Sequence, residues 1–317
     1  MDELRITTLP ELERPMLIGA FAGWNDAASA ASWALKFLVH QWDASQFGEI
    51  DPDAFYDFTE SRPKVRIERG SPGQFTWPTT RFYYYRAPRE GDVPRGRDVV
   101  LVLGEEPQLR WRSFARLVME VCQQCHVEHV VLLGALVAEV PHTTPVQVSG
   151  VSNQAAVLRH MSRSGIDLAT YEGPTGILSV LQDASRKAGL STSSLWGVAP
   201  YYVSATPNLP VAEALLKQLD TVFGLGLRLN ELTRAARRFN QRVSSLVAED
   251  SDVSAYVREL ERRLEHPSAD AGTMPRPPLP SNGFAVGAGS DDLPSPEEAI
   301  HDVEAWLRRF REQSESE

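Results

Sequence analysis

The side chains that could do chemistry sit in a few short stretches. Gly23-Trp24-Asn25-Asp26, Gly104-Glu105-Glu106-Pro107, Glu139 to Thr144 (EVPHTT) and Glu172-Gly173-Pro174-Thr175-Gly176 each follow an apolar, strand-like run. Carboxyl ends of strands are where open α/β sheets bind ligands, so parallel strands would gather these turns along one edge. Together they offer carboxylates (Asp26, Glu105, Glu106, Glu172), a base (His142), a cation (Arg110), polar groups (Asn25, Thr175) and two indole walls (Trp24, Trp111). That inventory suits acid–base work or the binding of a ligand or partner.

Each turn also has a plainer reading. Asn25 or Asp26 is a natural helix cap, accepting from free N–H groups. Glu172-Gly-Pro-Thr-Gly could hold an anion on exposed amides, yet it matches neither a P-loop nor a dinucleotide fingerprint. Adjacent carboxylates such as Glu105 and Glu106 are ordinarily solvated. His142 has no serine nucleophile elbow and no paired cysteine near it in sequence. No catalytic residue is therefore assigned, and no cofactor is expected.

Cys122 to His129, CQQCHVEH, contains a literal C-x-x-C-H and four potential zinc ligands. Its context favours packing. Phe114, Leu117, Val118, Val121, Cys122 and Cys125 continue one helical stripe, so the thiols belong to the core side as small apolar groups. His129 begins the next strand. No metal site is expected.

The elements that must position these residues follow from periodicity. Strands are predicted at Met16–Ala22, Ala54–Phe58, Lys64–Glu68, Arg81–Arg86, Asp98–Leu103, His129–Val137, Asp167–Tyr171 and Ser194–Val203. Helices are predicted at Ala27–Val39, Trp111–Cys125, Asn153–His160, Gly176–Ala188 and Pro210–Phe223. The alternation predicts a layered sheet with helices on both faces over residues 15–225. Residues 50–90 break it, being aromatic and helix-free, and read as hairpins added to the sheet. Leu229, Leu232, Ala236, Phe239, Val243 and Leu246, then Val253, Tyr256, Val257, Leu260 and Leu264, predict a helical hairpin over 226–265, packed on the main unit. Arg234, Arg237, Arg238 and Arg242 form a basic face of its first helix, which reads as solvated. Residues 266–293 are rich in Pro, Gly and Ser and read as a flexible linker. Ser295-Pro296-Glu297-Glu298 is a capping box. It opens a helix within 294–312 whose face of Ile300, Val303, Trp306, Leu307 and Phe310 needs a place to dock.

Bulk properties bound the function. The chain has 317 residues, 42% apolar and 23% charged, enough for a substantial core. A net charge of −10 disfavours a general nucleic-acid binder. The N-terminal stretch MDELRITTLPELERP has no apolar signal region, and no apolar run approaches membrane-spanning length. A cytoplasmic protein that engages neither nucleic acid nor membrane is expected.

Taken as an ordered set, GWNDAASAA, GEEPQLRW, GALVAEVPHTTP, YEGPTGILSVL and SLWGVAPYYVSATPN resemble the proteasome assembly chaperone 2 family, especially its actinobacterial members, over about residues 15–225. The helical hairpin is similar to an extension of those members. The resemblance implies a three-layer α/β/α sandwich like that of nucleoside phosphorylases and related hydrolases. It implies self-association, commonly in rings of three, and a protein partner. It offers no catalytic set to carry over. Family members dock on the proteasome through a C-terminal tail of hydrophobic residue, tyrosine, then any residue. This sequence ends Arg311-Glu-Gln-Ser-Glu-Ser-Glu317, so docking by that tail is not expected. The leading expectation is a non-catalytic, oligomeric chaperone-like or scaffolding protein. The alternative is an enzyme or small-ligand binder using the strand-end pocket of a phosphorylase-like fold.

Overall fold

A computed structural model of the chain describes residues 3–68, 71–90, 93–94, 96–203 and 207–265. The predicted linker over 266–293 and the C-terminal helix lie outside the described residues. The elements run β1 (Leu4–Ile6), β2 (Met16–Ala22), α1 (Ala30–Gln41), β3 (Ser45–Ile50), β4 (Lys64–Glu68), β5 (Ser71–Thr76), β6 (Thr80–Tyr85), β7 (Arg89–Glu90), β8 (Val93–Pro94), β9 (Val99–Glu105), α2 (Trp111–Gln124), β10 (His129–Ala138), β11 (Val148–Ser152), α3 (Ala155–Arg163), β12 (Asp167–Leu168), α4 (Ile177–Lys187), β13 (Ser191–Pro200), α5 (Leu209–Phe223), α6 (Asn230–Ala248) and α7 (Ser251–Glu265).

Continuous apolar runs make the middle of the sheet. MLIGAFA in β2 and HVVLLGALVA in β10 carry apolar side chains on both faces, as strands covered on both sides require. The sheet order is β1-β3-β6-β9-β2-β10-β13-β11-β12. Strands β9, β2, β10 and β13 are parallel neighbours, so their carboxyl ends share one edge. Both flanks turn antiparallel, through β6 on one side and β11 on the other. One face packs against α1 and α5 around Leu35, Leu38, Leu133, Leu215 and Leu219. The other packs against α2 and α4 around Phe21, Phe114, Val118, Leu132 and Leu181. The result is a three-layer α/β/α sandwich.

Helices α6 and α7 pack outside α5, and their stripe of Leu232, Phe239, Val243, Tyr256, Val257 and Leu260 is buried in the same core as α1 and α5. Leu264, placed on that stripe by periodicity, stays 40% exposed at the end of α7.

Three expectations change. Residues 54–58 are not a strand: Asp51 accepts from the Asp53 N–H and, with Pro52, sets a tight helical turn whose following residues Phe55 and Tyr56 are buried. The hairpin of β4 and β5 forms its own two-stranded sheet instead of joining the large one. Residues 167–171 shorten to the two-residue β12. Strand β3, SQFGEI, begins with two polar, exposed residues and gave no apolar run to detect, yet it pairs with β1 and β6.

Cys122 and Cys125 are free and buried among the α2 core residues. Burial pushes their thiols up to about 12 and about 11, so neither is a thiolate at neutral pH. Replacing both by alanine is expected to cost about 1–3 kcal/mol through lost packing, read by urea unfolding, with no change in metal content by elemental analysis. Stoichiometric zinc that disappears in the double variant would contradict this.

Candidate functional site

The carboxyl ends of β2 and β9 meet the start of α4 at a single side chain. Glu106 accepts from the Trp24 N–H at 3.2 Å, the Asn25 Nδ2 at 2.6 Å and the Ile177 N–H at 2.8 Å. The last is the first amide of α4, so the carboxylate also satisfies a free N–H at the positive end of a helix. Two glycines allow the approach. Gly23 has φ +133° with Glu106 Cβ only 3.0 Å from where its own Cβ would stand. A Cβ on Gly176 would lie 2.4 Å from the Asn25 amide and 2.6 Å from Glu106 Oε1. Three of the turns singled out by sequence are thus drawn together, and adjacent charge did not mean solvated charge at Glu106.

Asn25 is 1% exposed and its Oδ1 has no hydrogen-bond partner. Its carbonyl accepts from Ala135 at 2.9 Å, tying the turn to β10. Asp26 is also buried. It accepts from the amides of Ala31 at 2.7 Å and Ser32 at 3.2 Å, capping α1 from five and six residues ahead. It reaches them because Ala28 and Ser29 are left-handed, with φ of 50° and 51°. Burial pushes the Asp26 carboxyl up to about 6, against the hydrogen bonds from Ser32 and Ala31.

Trp24 and Trp111 wall a hollow of about 390 Å³ floored by Glu105, Glu106 and Gln108. Trp24 is 64% exposed. Trp111 is half-buried, its indole N–H donating to the Pro107 carbonyl. Glu105 is half-buried, which raises its carboxyl pKa against the opposing pull of Ser61, Lys64 and Lys36. The other predicted residues lie elsewhere. Arg110 caps nothing with its side chain; it pairs with Glu3 at 2.6 Å and lies 5.4 Å over the Phe55 ring. Glu172 and Thr175 are exposed on the turn before α4 and line no part of the hollow.

His142 is buried at the base of the helical hairpin. The Tyr202 hydroxyl accepts its backbone N–H at 2.6 Å and meets Nδ1 at 2.7 Å, while Nε2 meets Ser244 Oγ of α6 at 2.9 Å. Burial lowers the His142 pKa, with Glu261 pulling the other way. The imidazole therefore joins strand end to hairpin and does not face the hollow. Sequence reasoning had no access to the Tyr202 and Ser244 partners, which lie 60 and 102 residues away. Among the described residues, no group of three or more His, Cys, Asp or Glu is placed to hold a metal ion, and no helix is long and apolar enough to cross a membrane.

The PAC2 family model matches residues 20–247, which include every strand-end turn described above. This chain belongs to the PAC2 family. It is 42% identical to a PAC2 family protein from Streptomyces avermitilis, covering 77% of this chain and 99% of that one, with a TM-score of 0.68. It is 38% identical to a proteasome-assembly chaperone homologue from Mycobacterium tuberculosis, covering 76% and 99%, again with a TM-score of 0.68. An archaeal proteasome activator from Pyrococcus furiosus shares the fold, with a TM-score of 0.61 at 16% identity over 78% of this chain and 99% of that one. No curated protein matches this chain.

The Asp26 carboxyl makes stability depend on pH with a definite sign. Its folded pKa is raised, so between about pH 4 and 6 the folded state holds a proton that the unfolded state releases. The stability this contributes is complete below the ordinary carboxylate range and lost as pH rises through about 6. Asp26→Asn lacks that titration. The stability difference, wild type minus variant, is expected to fall by about 2–3 kcal/mol from pH 4 to pH 7, measured by urea unfolding. Parallel pH curves would contradict the assignment.

Proposed function

We propose that this PAC2 family protein is a non-catalytic, self-associating, cytoplasmic chaperone-like protein that engages a partner protein at the carboxyl edge of its sheet. The observation that carries the reading is the 38% identity with the mycobacterial proteasome-assembly chaperone homologue over nearly the whole of that chain. The site chemistry supports it. Glu106, Asp26 and His142, the groups best suited to catalysis, are committed to internal hydrogen bonds. Beside exposed polar groups such as Glu172 and Thr175, the edge also presents large apolar side chains: Trp24, Leu136, Val137 and Tyr171 are all at least 40% exposed. Exposed apolar surface rimmed by polar groups favours protein contact over substrate chemistry. Self-association as a trimer is the further element of the proposal.

Sedimentation equilibrium at micromolar concentration is expected to give three times the 35.2 kDa chain mass. A species of 35.2 kDa alone would contradict self-association. A photo-cross-linking residue at position 24, used in the native cell, is expected to trap a second copy or one recurrent partner protein. A surface that captures no protein, with a metabolite retained in native mass spectrometry, would overturn the partner reading.

A further inference from the structure

Next to the tryptophan-walled hollow lies a second one with a different character. It encloses about 350 Å³ between α1, the end of β9, the start of β6 and the hairpin of β4 and β5. Four cationic side chains line it: Lys36 from α1, Arg62 and Lys64 from the approach to and start of β4, and Arg81 from β6. Only two carboxylates, Asp43 and Glu105, share the lining. In a protein whose net charge is −10, this concentration of cations runs against the overall balance. Lys36 and Arg81 also engage other groups of the protein.

We propose that this hollow binds a phosphate monoester carrying a flat ring, a ligand of the nucleoside monophosphate class. The charge suits an anion: cationic side chains outnumber carboxylates four to two in the lining, and a phosphate monoester carries roughly −1.5 to −2 near pH 7. The size fits a single ring system with one phosphate, since the volume lies near the lower end of small-molecule sites. The ring would be received by Trp77 and Tyr83, which share the lining. Trp77 is fixed edge-on by Phe58, with ring centroids 4.9 Å apart, yet remains 46% exposed. Burial lowers the Lys64 pKa even with Glu105 beside it, so an anion entering the hollow would stabilise a partly desolvated ammonium. Arginine supplies the forked donors that phosphate oxygens accept, and lysine the point charge. The site lies at the carboxyl end of a parallel strand, the usual place for such a ligand. The proposal goes beyond the partner-binding reading and stands or falls without it.

The test is isothermal titration calorimetry of AMP, GMP, CMP and UMP, one at a time, into the full chain. At least one is expected to bind at one site per chain with a Kd below about 1 mM. Arg62→Met/Lys64→Met, on exposed positions, is expected to weaken that binding by roughly tenfold or more while its melting temperature stays at the wild-type value. Trp77→Leu is expected to weaken it as well. The matching nucleoside and inorganic phosphate are each expected to bind at least about tenfold more weakly than the monophosphate. Absence of binding by all four, unchanged affinity in the Arg62/Lys64 double variant, or inorganic phosphate binding as tightly as the nucleotide would overturn the proposal.

Discussion

The carboxylate of Glu106 is the interaction on which the strand-end edge depends. It gathers donors from the turn after β2, from the side chain of Asn25 and from the first amide of α4. Two are backbone groups, and one of these stands at the positive end of a helix. A charged acceptor on several donors is stronger than neutral pairs and geometrically specific. The constraint spreads through the sequence. Gly23 and Gly176 must lack a Cβ for the three segments to approach, and Asn25 is buried where its side-chain amide donates to Glu106.

With Asp26 and His142 buried and Glu106 held in its clasp, aromatic and aliphatic side chains form part of what the edge presents outside. Trp24 shows the division within one turn: its backbone N–H is held by Glu106 while its indole faces solvent. A rigid backbone presenting a large flat side chain suits a binding surface, where preorganisation lowers the entropic cost of association. At the opposite side of the same edge, His142 fastens the helical hairpin through Tyr202 and Ser244, so the outer helices are fixed relative to the sheet by buried polar bonds as well as by apolar packing.

Much of the fold was legible because its central strands and amphipathic helices announce themselves. HVVLLGALVA and the Phe114 to Cys122 stripe leave few readings open. The edges did not. Strand β3 is polar at its start, and PDAFYDF carries strand-like aromatics inside a turn set by Asp51 and Pro52. At the site, residue types were readable but roles were not. Asp26 caps α1 from farther away than a standard cap, because two left-handed residues intervene. Glu106 and its neighbour Glu105 look alike in sequence and both line the hollow, and only tertiary distance shows that Glu106 is the one held by the turn after β2 and the first amide of α4. Lys64 and Arg62, on and before a hairpin with no strong motif, gave no signal that they converge with Lys36 across the chain.

The most direct measurement is residue-resolved amide hydrogen exchange in the wild type, Glu106→Gln and Glu106→Ala under native conditions. If Glu106 clasps the edge, Ile177 and Trp24 amides lose protection in Glu106→Ala, partly regain it in Glu106→Gln, and the central β10 amides remain as slow as in the wild type. Unchanged protection at Ile177 and Trp24 in Glu106→Ala would show that the edge is held by other forces and would contradict the account.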